Sequence, residues 1–83
     1  MVFKLTTKAD LSGSWISIDG IPHLLMHNTI NDHVILDNRL TGIISGDVIY
    51  IYNGNQIMRG IISHNIIGWL NSDIWQKEAR IAV

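Results

Sequence analysis

The chain has 83 residues, no cysteine and a formal net charge of −1. That length makes one domain, 1–83, able to bury only about 60–65% of its unfolded surface. The missing cysteine excludes a disulfide staple, a thiolate metal centre and a cysteine nucleophile, and basic residues scattered at Lys4, Lys8, Arg39, Arg59, Lys77 and Arg80 argue against nucleic acid as a partner.

From the N-terminus, Val2-Phe3-Lys4-Leu5-Thr6 alternates like a strand but does not share the spacing of the later segments. Residues 1–11 therefore read as an extended arm that pairs at an edge or with another subunit. The arm lacks the apolar run of about seven residues that a signal peptide needs. Without staples or a leader, an intracellular (cytoplasmic) or virion setting is expected. Nothing approaches about eighteen consecutive apolar residues, so no membrane helix is expected.

Turn signals then recur at Asp19-Gly20, Asn28 to Asp32, Asp37-Asn38, Gly46-Asp47, Asn53-Gly54-Asn55, His64-Asn65 and Asn71-Ser72-Asp73. The runs between them are rich in Ile, Val, Tyr, Trp and Thr, which suit a pleated sheet. The spacing predicts strands over 12–19, 21–28, 32–37, 39–45, 47–53, 55–63, 65–71 and 73–81. Links of two or three residues force sequential antiparallel pairing, hence an up-and-down meander. Eight twisted strands tend to close and so remove their edges. The fold class expected is all-β, a closed or nearly closed small barrel; two packed sheets or an SH3-like barrel are the alternatives.

Within the meander, Gly42-Ile43-Ile44-Ser45 returns eighteen residues later as Gly60-Ile61-Ile62-Ser63. Each copy runs into a two-residue turn and a second apolar run, so the copies should form successive hairpins. Ile43 and Ile61 should share one sheet face and Ile44 and Ile62 the other. Asn65 is the expected positive-φ residue of the second turn.

Both faces of these strands are apolar. In 47–52, Val48, Tyr50 and Tyr52 alternate with Ile49 and Ile51; in 66–70, Ile67 and Trp69 alternate with Ile66 and Leu70. Only 16% of the chain is charged, against about 25% in ordinary domains, although a small domain needs proportionally more polar surface. A second buried face, against another subunit or a partner, is therefore expected.

Residues that could carry chemistry are spread thinly. His23 and His27 share a strand face about 13 Å apart, too far for one metal, and with His33 and His64 they read as surface or turn histidines. The aspartates and serines mostly flank turns, where they cap backbone groups. The glycines lack the strand–loop–helix setting of a phosphate site, and those inside strands, Gly42, Gly60 and Gly68, read as bulges or barrel bends. No catalytic residue, metal ligand or cofactor is assigned. Trp69, Trp75, Tyr50 and Tyr52 are the ligand-binding candidates, with core packing as the commoner fate of tryptophan.

Gly13-Ser14-Trp15 opening the first strand, a meander after it and Arg80 near the end resemble the calycin superfamily of lipocalin- and avidin-like barrels. There a Gly-x-Trp starts the first strand, and a last-strand arginine packs across the tryptophan to plug one barrel end. The resemblance implies a closed barrel and a barrel-closing Trp15–Arg80 contact. This chain is far shorter than a lipocalin.

The function expected is a non-catalytic assembly or interaction module, self-associating through an apolar sheet face. A structural subunit of a larger particle, including a viral one, would fit. The alternative is a small-ligand or glycan binder with an aromatic-lined mouth. An enzyme would instead show a histidine within about 3 Å of a Ser, Asp or Glu inside a cleft.

Overall fold

The computed structural model describes residues 10–78, which are all-β. Eight strands succeed one another: β1 (Gly13–Ile16), β2 (Pro22–Asn28), β3 (His33–Leu36), β4 (Leu40–Ser45), β5 (Val48–Asn53), β6 (Gln56–Ser63), β7 (Ile66–Trp69) and β8 (Ile74–Lys77). Each pairs antiparallel with the next, and β1 pairs with β8 through Trp15–Lys77 and Ile16–Gln76, closing the barrel. The alternating segment 2–6 and Arg80, with its expected contact to Trp15, lie outside the described residues. The basic residue directly opposite Trp15 is Lys77, whose Nζ donates to the Asp10 carbonyl at 3.0 Å.

The turns form where polar residues accept left-handed backbone. Asp37 and Asn38 both take positive φ, 54° and 57°, and the Arg39 amide donates to the Leu36 carbonyl at 3.0 Å, a type I′ arrangement. The two hairpins of the repeat match in backbone. Gly46 has φ 61° in the first, and His64 has φ 55° in the second. The positive-φ residue is thus His64 and not Asn65, because the histidine occupies the first turn position, where the earlier copy has glycine.

The interior is filled by side chains. Trp15, Leu25, Val34, Leu36, Ile49, Ile51, Ile67, Trp69 and Trp75 form the core with Leu11, and Leu40, Ile44, Met58 and Ile62 pack against it. Burying each aliphatic side chain contributes about 1.5–3 kcal/mol. Leu11, at the end of the expected arm, is locked in place: its amide donates to His27 Nδ1 at 3.1 Å, and its carbonyl accepts the Trp15 indole N–H at 2.9 Å. Ile44 and Ile62 face inward while Ile43 and Ile61 face outward, as the repeat predicts.

Gly42 and Gly60 are not bulges. The register runs unbroken through Val34–Gly42–Ile51 and Ile49–Gly60–Trp69. Both glycines are buried and face inward. A Cβ on Gly42 would strike the Tyr50 carbonyl oxygen, and one on Gly60 would come within 2.7 Å of Ile67 Cγ2 and 2.9 Å of Trp69 Cε3. The missing side chains are the space that Ile51, Ile67 and Trp69 fill.

Candidate functional site

Outward-facing residues line up in rows, because paired residues on neighbouring strands point the same way. One row runs Met26–Ile35–Thr41–Tyr52–Ile57 across β2 to β6. Its four large apolar members are 48%, 41%, 41% and 62% exposed. A second row runs Val48–Ile61–Gly68–Ile74 across β5 to β8. Gly68 has nothing within 4 Å of where its Cβ would be, so it leaves a notch between two exposed isoleucines. Between these rows lies a more polar one, His33–Ile43–Tyr50–Arg59.

Where β6 meets the end of β7, a groove of about 370 Å³ opens, lined by Tyr50, Gln56, Ile57, Met58, Arg59, Trp69, Leu70 and Asn71. The Asn53–Gln56 pairing fixes the β5–β6 register, which sets Tyr50 directly against Arg59. The Arg59 guanidinium lies over the Tyr50 ring, 6.0 Å from its centroid. The Leu70 amide donates to the Arg59 carbonyl at 3.0 Å, which ties the end of β7 to the groove wall. Among the described residues Arg59 has no acidic partner. Trp69 is 6% exposed, and its indole N–H is buried without an acceptor. An unmade bond of that kind costs about 1–3 kcal/mol.

Behind this wall Trp69 meets Trp75 edge to face at 4.8 Å, and Trp75 stacks on His23 at 4.1 Å with rings nearly parallel. The Trp75 N–H donates to Asp73 Oδ2 at 3.0 Å. His23 Nδ1 donates to Asp37 Oδ2 at 2.8 Å, while Asp37 Oδ1 accepts the Leu24 amide, also at 2.8 Å. Burial pushes the Asp37 carboxyl up, but the bonds from His23 and Leu24 and the charges of His23 and Arg39 outweigh it, holding the group below its ordinary value.

His23 and His27 are therefore not surface or turn residues. Both face inward on β2, and the His27 side chain is only 2% exposed. The Leu11 amide occupies His27 Nδ1, so Nε2 carries the proton and donates to Asp32 Oδ1 at 3.1 Å. Near the strand ends, inward histidines reach carboxylates and backbone that a purely apolar side chain would leave unpaired. The Ser12 hydroxyl bonds the His27 backbone and not its ring. His33 and His64 are exposed. Among the described residues no three His, Asp or Glu gather as a metal site, and no helix is long and apolar enough to cross a membrane.

Of the four aromatic candidates, the structure brings Tyr50 and Trp69 together at the groove. Trp75 lies behind Trp69 in the core, and Tyr52 stands on the outward row. Gln56, Ile57, Met58, Arg59, Leu70 and Asn71 complete the groove and were not singled out as site residues by sequence reasoning. The signal for Arg59 was present: counting on from the Gly54-Asn55 turn places it opposite Tyr50. Neither the protein-family models, nor the curated proteins, nor the solved structures compared with this chain contain a match.

Proposed function

We propose that the protein is a non-catalytic assembly module that self-associates through its outward apolar rows. The carrying observation is the Met26–Ile35–Thr41–Tyr52–Ile57 row, four of whose five members are large, apolar and more than two-fifths exposed. The core accounts for the inward set alone, and contiguous apolar surface of this kind is rarely left in water. Burying it between copies also supplies the area that a small domain lacks internally.

The double variant Met26→Lys/Ile57→Lys tests this, since both side chains point away from the core. Light scattering at micromolar concentration is expected to give an oligomer for the wild type and a folded monomer for the variant. A wild type that stays monomeric defeats the proposal. The particle the subunit would belong to, including a viral one, and an intracellular setting are parts of the same proposal. So is the wider likeness to calycin barrels.

A second reading, small-ligand or glycan binding, is favoured by one observation. The groove combines Tyr50, Met58 and Leu70 with Gln56, Arg59 and Asn71, apolar walls with a few polar groups at a volume near 370 Å³. Heteronuclear NMR titration with monosaccharides and small aromatics is expected to give saturable shifts at Tyr50 and Trp69; shifts confined elsewhere contradict it.

A further inference from the structure

We infer that the groove between β6 and the end of β7 is a site for a small carboxylate, with the anionic group paired to Arg59 and the ligand body laid against Tyr50, Met58 and Leu70. This rests on the groove being a ligand site at all, and adds the chemical class of what it takes. Three observations carry it. First, Arg59 is the one charged residue among the groove's lining, and no carboxylate faces it there. Second, among the described residues its guanidinium has no ion pair; its only contact of note is the face of Tyr50. Third, the Trp69 N–H, buried beneath the wall, is a further donor without an acceptor. Among the described residues the groove therefore presents an unpaired cation and no charged acceptor.

A guanidinium fork matches the two oxygens of a carboxylate, and its flat face can lie along the ligand body. The lining on either side of Arg59 suits a ligand with a flat or apolar body. Ile57, Met58 and Leu70 offer apolar contact, Tyr50 offers a ring face, and Gln56 and Asn71 offer hydrogen bonds to hydroxyls. An aromatic acid and an acidic sugar share this chemistry, and the test separates them.

The experiment is a ¹⁵N-correlated NMR titration of the whole chain with phenylacetate and with methyl β-glucuronide, each beside its neutral counterpart, phenylacetamide and methyl β-glucoside. The Trp69 indole N–H is a ready reporter, because the Trp15 and Trp75 N–H groups are already bonded to Leu11 and Asp73. At least one carboxylate is expected to shift Trp69 and the Arg59 side chain saturably, about 3- to 10-fold more tightly than its neutral partner. The Arg59→Gln variant is expected to erase that preference, and Arg59→Lys to restore part of it. The carboxylate that binds identifies the source. Neutral probes binding as tightly as the acids overturn the carboxylate assignment while leaving the groove a ligand site. No saturable shift at the groove with any of the four overturns both.

Discussion

Gly42 and Gly60 do the same work in the two copies of the repeat. Each vacates an inward position so that a bulky neighbour can cross it, and the opposing atoms decide the cost of filling the gap. Gly60→Ala would press on Ile67 and Trp69, side chains that can shift slightly, for a loss of about 1–3 kcal/mol. Gly42→Ala would meet the backbone carbonyl of Tyr50, which cannot retreat, and should cost more. Gly68 has open space, and alanine there removes chain entropy, so Gly68→Ala should be neutral or stabilising by up to about 1 kcal/mol. Urea unfolding midpoints check the order; equal losses at all three positions would contradict it. Asp37 adds a pH-dependent term. Its carboxyl titrates below its ordinary value near 3.8 in the folded chain. The resulting stabilisation is complete above the unfolded value and disappears as pH falls through the lower folded one. The advantage of wild type over Asp37→Asn should therefore be present at neutral pH and shrink on acidification. Unfolding curves at stepped pH values measure it, and an advantage that grows in acid would contradict the assignment.

At the scale of strands and turns, the repeat predicts more than it states. Both hairpin turns place left-handed backbone at their first position, filled once by glycine and once by histidine. A side chain at such a φ costs roughly 1–2 kcal/mol, partly offset in a glycine by extra chain entropy. Gly46→Ala should thus lose about 1 kcal/mol, having nothing to clash with, whereas His64→Gly should gain somewhat less. Thermal unfolding of the two variants decides this, and a destabilised His64→Gly would contradict the turn geometry. The strand metre was legible because every link announces itself with Asn, Asp or Gly. The faces were legible too, since side chains alternate. Which apolar face goes inside was not, because 48–52 is apolar on both. Gly42 and Gly60 held that information: small residues stand on the face where the barrel is crowded. The inward His23 and His27 escaped notice although their partners Asp37 and Asp32 lie at the end of and within the same β2–β3 hairpin, because which face of β2 turns inward decides whether those side chains meet.

For the whole molecule, closure separates two sets of apolar residues that lie mixed in the chain. Ile49, Ile51 and Ile67 fill the barrel, and Met26, Ile35 and Ile57 remain outside it. Ile57 belongs both to the outward row and to the groove wall, so association and ligand binding would meet at one side chain. The groove itself could not be read from the sequence. The Gly54-Asn55 turn sets the β5–β6 register, but the groove also depends on where β7 ends, a feature that no local pattern displays. The most direct measurement is a filtered NOESY spectrum of a one-to-one mixture of labelled and unlabelled protein, which reports only contacts between copies. Intermolecular contacts are predicted at the methyl groups of Met26, Ile35 and Ile57, with none at Ile49, Ile51 or Ile67. Contacts at the inward set, or none at all at concentrations where the chain is folded, would contradict the proposal that the second apolar face is built for another copy.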